Sequence, residues 1–228
     1  MDPVALILAD SRFPGGGHVH SGGLEEIAAR GLVRSERDLP GFLFGRLCTA
    51  GFLAAAFAAA SAHAAARGVE SGHWRRLDQE LDARTPSLAQ REASRAQGRG
   101  TARAGRVAWP SPVLSQLLGE TPRPHHPIVS GALVGIGGGS PFDAAMAVAY
   151  LAVSGPASAA VRLLGLDPFA VNAVVMRLAG PLREVSDRAA ETAGADPVDL
   201  PAPASPALDL FAEEHARHHQ EEVRLFAS

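Results

Sequence analysis

The stretch "SERDLPGFLFGRLCTAGFLAAAFAAASAHAAARG", residues 35–68, decides the fold. Ser35 with Asp38 three residues on resembles a capping box. Leu39, Leu43, Leu47, Ala50, Leu53 and Phe57 then recur at steps of three and four, which is one apolar face of a long helix to about Arg67. Gly68 supplies the stop. The segment 51–66 is mostly alanine and contains His63, so it falls short of the roughly 20 strongly apolar residues a bilayer span needs.

Helix signals continue outward from this stretch. Thr85-Pro86 reads as an N-cap and N1 proline, opening a helix to about Val107 that carries Arg91, Arg95, Arg99 and Arg103 at i+4 spacing. Ser140-Pro141-Phe142-Asp143 combines N-cap, N1 proline and N3 acid, with Phe142, Met146, Ala149 and Val153 as the expected buried stripe. Asp167-Pro168 repeats the signal, and Val171, Val175, Leu178, Leu182, Val185 and Ala189 keep the period. Gly180-Pro181 should kink or split that helix, because proline lacks a backbone donor and clashes one turn back. No convincing period-2 segment competes. The reading is all-α: a single globular domain of roughly eight to ten helices over 1–193, a proline-rich spacer over 194–206 and a C-terminal appendage over 207–228. A second proline-rich break, 109–127, joins the two helical halves.

The bulk numbers exclude several chemistries. The 228 residues carry a net charge of −3, which advertises no nucleic-acid partner. All 21 basic residues are arginine, so a lysine Schiff base and a P-loop lysine are both ruled out. Cys48 is the only cysteine, which excludes internal disulfides and Cys-rich zinc sites. The N-terminal "MDPVALILAD" has an early acid and no basic n-region, so it does not read as a signal peptide. A soluble, cytoplasmic chain is expected.

Few residues suggest a site. "FPGGGHVHSGGLE" (13–25) and "GIGGGS" (135–140) match no phosphate-binding pattern and read as tightly bent backbone. The candidate metal ligands are His18 and His20, on one side of a loop, and His215 with His218 or His219 at i+3 and i+4, a spacing that suits nickel or zinc. No third ligand is fixed nearby, so these histidines read equally as solvated or capping groups. The arginine line could hold phosphates, form a solvated face, or pair with Glu80, Asp82 and Glu92. His125 or His126 could serve as a base in an all-α enzyme, although no catalytic constellation accompanies them.

The motifs together resemble a known family. "LILADSRFPGGGHVHSGGLEEIAARGLV" is similar to the N-terminal signature of the urease accessory proteins UreF, with Pro14, Gly16, Gly17, Ser21, Gly23, Leu24 and Glu25 on the pattern and Gly31 as the following glycine. "REASRAQGR" (91–99), "HPIVSGALVGIGGGSPFDAAMAVAYL", "AVRLLGLD" (160–167) and "RLFAS" (224–228) resemble that family's later motifs, in the same order. Gly15, His18, Val19, His20, Pro168, Asn172 and Ala227 depart from it.

The resemblance implies an all-α, non-catalytic protein with no cofactor of its own. It implies a homodimer that binds UreD (also called UreH) and the GTPase UreG and helps place nickel in the urease apoprotein. The expected partner-binding residues are Gly16, Gly17, Ser21, Glu25, Leu225 and Phe226, with the tail 207–228 docking on UreD. A nickel-holding protein built on His18, His20, His215 and His219 is the alternative reading.

Overall fold

The computed structural model describes residues 2–15 and 20–225, with side chains of the last helix described as far as His218. The described residues are helical throughout, as the periodicity predicts. Helices α1 (Pro3–Ala9) and α2 (Leu24–Ala29) precede α3 (Leu39–Arg46), which runs through a π turn (Leu47–Gly51) into α4 (Phe52–Arg67). Then come α5 (His73–Ala83), α6 (Leu88–Ala108), α7 (Pro112–Glu120), α8 (His126–Ile136) and α9 (Pro141–Leu164). Helices α10 (Pro168–Arg177), α11 (Ala179–Glu191) and α12 (Pro206–Leu225) complete the chain, with a 3₁₀ turn at Pro197–Asp199.

Helix α4 is the axis. Most of its alanines are buried, on every side from Ala55 to Ala62, so this stretch carries no polar face and joins two apolar clusters. Ala55, Ala56 and Ala59 belong to a cluster shared with residues of α3, α9, α10 and α11. Phe57, Ala58 and Ala62 belong to a second cluster, shared with residues of α1, α5, α7 and α8. The closest approach is to α8. A Cβ on Gly131 would stand 2.1 Å from the Ala58 carbonyl oxygen, and one on Gly135 would stand 2.4 Å from that of Ala62. The Gly131-x-x-x-Gly135 face of α8 therefore lies directly on the Ala58-x-x-x-Ala62 backbone of α4.

Two helices, 39–67 and 141–164, are long and apolar enough to cross a bilayer, but both are core helices with about half of their apolar window buried inside the protein.

Start and stop signals mostly hold. Ser140 and Asp143 form a full capping box, Asp167 caps α10, and Gly68 ends α4 at φ +70°. The Ser35–Asp38 pair instead closes a separate turn. The Asp38 carboxylate accepts from the backbone of Arg34 and Ser35, and the helix begins only at Leu39. Pro40 then sits in the first helical turn, where its missing N–H is not needed.

Helix α6 is capped by Ser87 rather than Thr85. The Ser87 hydroxyl accepts from Gln90 N at 3.1 Å, while Thr85 donates back to the Leu81 carbonyl of α5 at 2.9 Å. Phe142 and Met146 are only half-buried, because α9 is enclosed mainly through Ala145, Val148, Ala149 and Val153. The expected split of the long helix falls at Leu178, which places Pro181 in the first turn of α11. Inside the 109–127 break, Ser111 caps α7, and Leu114 and Leu117 are buried.

Residues 194–205 pass through the 3₁₀ turn at Pro197–Asp199 and are otherwise irregular. Leu200 is buried, and Arg84 donates to the carbonyls of Val198 (2.8 Å) and Leu200 (3.2 Å).

Candidate functional site

Four elements converge on the Ser21–Glu26 segment. Gly22 and Gly23 have φ of +63° and +91°, which L side chains rarely adopt, and a Cβ on Gly22 would also meet Pro156 Cγ at 2.8 Å. Ser21 stabilises the start of α2 by accepting from Glu25 N at 3.3 Å. Pro156 lies inside α9 and has no N–H to give to the Ala152 carbonyl one turn back. Arg46 fills that role. Its Nε donates to Ala152 O at 2.9 Å and its Nη1 to Gly22 O at 2.8 Å. Enclosure pulls the Arg46 guanidinium down to about 10, so it stays protonated at neutral pH. One arginine thus ties the glycine turn to the proline break of α9.

Helix α12 crosses the outer side of this segment. Leu208 is buried in the core cluster of α2 and α9, and Phe211 packs against it beneath the Arg30 guanidinium, 5.3 Å from the ring centroid. Arg30 also pairs with Glu26 at 2.9 Å and with Glu214. His218 stands 3.4 Å from Glu26, and His215 3.7 Å from Glu25. On the other flank Glu213 accepts from the Ser87 hydroxyl (2.7 Å) and from Ala89 N (2.9 Å), so it caps the N-terminus of α6. The first turns of the tail therefore find their apolar surface on the chain's own body. Between α2, α6, α9 and α12 lies a cavity of about 1150 Å³, lined among others by His20, Ser21, Arg46, His126, Tyr150 and Phe211.

A second polar cluster explains the "REASRAQGR" motif. Gly98 lets the Pro124 carbonyl approach to within 2.0 Å of where a Cβ would stand, so the 121–126 turn lies flat on α6. Ser94 bonds His125 Nδ1 at 3.0 Å and accepts from His126 N at 3.3 Å. His125 Nε2 meets Asp82 at 2.9 Å, which fixes the proton on Nε2 and leaves Nδ1 to accept from Ser94. Arg95 reaches Asp78 at 2.9 Å and Asp82 at 2.5 Å. Arg91 is spent on the Thr85 and Pro86 carbonyls.

The arginine line is thus divided: Arg95 closes this cluster, Arg91 holds the Thr85 and Pro86 carbonyls, and Arg99 and Arg103 are exposed. Of its expected acidic partners only Asp82 takes part, because Glu80 pairs with Arg84 and Glu92 with Arg123. Asp78, Asp82 and His125 could in principle offer three metal ligands. Arg95 already pairs with both carboxylates there, and His125 donates to Asp82, so the arrangement reads as a structural ion network.

His125 and His126 are held rather than poised for catalysis. Burial lowers both, His126 to about 4, with the charge of His20 contributing. In the unfolded chain each titrates near ~6.5. Between pH ~6.5 and ~4 the unfolded state binds protons that the fold excludes, so stability falls as pH falls through this window. The His126 contribution is on the order of 2 kcal/mol after allowance for its partial exposure. Urea midpoints at pH 7.5 and 5 are expected to differ, and His126→Gln should shrink the difference. Equal midpoints in the parent chain would contradict the buried neutral pair.

Among the sequence-predicted residues, His20, Ser21, Glu25 and His215 come together around the cavity. Gly16, Gly17, His18 and Phe226 lie outside the described residues, as do the side chains of His219 and Leu225. Arg46, Pro156 and Asp78 were not singled out by sequence reasoning. Only Pro156, inside an otherwise helical run, carried a readable signal.

The sequence matches the UreF family model over residues 33–179. It is 45% identical over 223 residues to the urease accessory protein UreF of Mycobacterium sp. (strain JLS), covering 98% of this chain and 97% of that protein. The chain belongs to the UreF family. Proteins of the same name from Mycobacterium tuberculosis (strain ATCC 25618 / H37Rv) and Mycolicibacterium vanbaalenii are 42% and 44% identical, each over at least 93% of both chains. All three relatives carry the name urease accessory protein UreF.

Proposed function

We propose that this chain acts as a non-catalytic adaptor in urease maturation. With UreD (UreH) and the GTPase UreG it assists GTP-dependent placement of nickel in the urease apoprotein, with UreG hydrolysing the GTP. The observation that carries this reading is its similarity to urease accessory proteins UreF along almost the whole chain. Nickel is cargo in this scheme, and the chain itself holds no cofactor.

The Ser21–Glu25 turn, together with Gly16 and Gly17, forms the surface offered to UreG or to a second copy in a cytoplasmic homodimer. The end of the tail, Leu225 and Phe226, engages UreD. Rigid anchoring of the turn by Arg46 supports this assignment, because a surface fixed before binding loses less entropy on association. The nickel-holding alternative gains nothing from the tail, where His215 and His218 face Glu25 and Glu26 of α2.

Arg46→Met is expected to free the turn and to leave the Ala152 carbonyl unpaired. The loss should be about 1–3 kcal/mol of stability, with capture of UreG weakened more than the melting temperature suggests. An Arg46→Met chain that melts and captures its partners like the parent would refute the anchoring role. The functional test is a GTPase assay on UreG with and without this chain and UreD. A hydrolysis rate indifferent to the chain, with no complex formed, would overturn the proposal. GTP binding by the chain alone is not expected, since lysine and both phosphate-binding glycine patterns are absent.

A further inference from the structure

The outer half of α6 is unlike the rest of the protein. Residues 93–119 contain no aspartate or glutamate but hold Arg95, Arg99, Arg103 and Arg106, in a chain whose net charge is −3. Arg95 is consumed by Asp78 and Asp82. Arg99, Arg103 and Arg106 are exposed and make no hydrogen bond or ion pair among the described residues. Their i, i+4, i+7 spacing sets them in one stripe about 10 Å long. Like charges so placed repel one another and weaken the helix that bears them. Beside them Val107 is 83% exposed and adds an apolar contact.

The stripe borders Gly15. Gly100, between Arg99 and Arg103, accepts the Gly15 backbone so closely that an added Cβ would meet Gly15 O at 3.1 Å. The basic face therefore lies beside the residue that precedes Gly16 and Gly17 in the sequence, two of the positions assigned to partners above.

We infer that the outer face of α6, Arg99 to Arg106, docks an acidic segment of a partner protein. Charge complementarity selects the sign: a partner meeting this acidic chain elsewhere is repelled, and this stripe is where a negative segment is drawn in and oriented. A nucleic acid fits less well, because no aromatic side chain is interleaved with the arginines to stack on bases.

The inference rests on the proposed role in urease maturation, and the test separates the two. Association of the full chain with purified UreD, UreG and urease apoprotein is measured singly at ~50 and ~200 mM salt, above and below the screening length of the stripe. Binding to at least one of them is expected to weaken about tenfold or more in R99E/R103E/R106E at the lower salt, and less at the higher. R99K/R103K/R106K should largely restore it, and all three chains should melt alike. Parent binding that charge reversal leaves unchanged would overturn the stripe and spare the proposed function. Tight binding to duplex DNA, lost in the same variant, would overturn the choice of an acidic protein. Failure of the parent chain to bind any of the three would overturn both.

Discussion

Gly131→Leu is expected to leave the chain unfolded or aggregated, and Gly131→Ala to lose about 2 kcal/mol or more. Helix propensity alone predicts the opposite for alanine, a gain of up to about 1 kcal/mol in a helix interior. The packing decides the sign. The new Cβ would lie 2.1 Å from the Ala58 carbonyl oxygen, which belongs to the backbone of the central helix and cannot rotate away. Relief requires α4 and α8 to separate, and both clusters of the core meet on α4. Gly45→Ala is the control, because a Cβ there meets nothing within 4 Å and propensity should act alone. Thermal melts of the two alanine variants should move in opposite directions. A Gly131→Ala chain as stable as the Gly45→Ala chain would show that the α4–α8 contact is looser than described.

Arg95→Met should be nearly as damaging, at roughly 2–4 kcal/mol. The substitution keeps the aliphatic length and removes the charge that Asp78 and Asp82 share. Asp78 is 6% exposed and would remain as a carboxylate without its cation. Its other partner is the His125 backbone N–H at 3.0 Å. Part of the loss should be recovered by Asp78→Asn in the same chain, since the amide carries no charge to strand. Denaturant unfolding of the single and double variants forms the cycle. Additive losses would mean that the two side chains do not act on each other.

How much was legible depended on whether a signal was local. The Ser140–Asp143 start, the Asp167 cap and the Gly68 stop are decided within four residues, and the structure keeps them. The apolar period of 171–189 likewise marks a face that is buried along its length. Contacts across the chain left no such trace. Nothing near Arg46 in sequence reveals that its guanidinium replaces the hydrogen bond Pro156 cannot make, 110 positions later. Glu213 as the cap of a helix that begins at Leu88 is equally hidden. The arginine line shows the intermediate case. Its spacing was visible, yet the division between paired and free members depends on α5, whose start at Gly72-His73 carries no strong sequence signal. The tail shows the same limit: the sequence alone does not say which surface its first turns bury against. Leu208 and Phe211, three residues apart, share a helix face, and the body supplies the surface they cover.

The central claim, that this chain serves urease maturation, is tested most directly by activation of purified urease apoprotein. The apoprotein is incubated with nickel, GTP, UreD and UreG, with and without this chain, and its bound nickel and ureolytic rate are read together. The account predicts that both rise when the chain is present and that the rise disappears with a non-hydrolysable GTP analogue. Equal nickel content and equal activity with and without the chain, all proteins being folded, would contradict it.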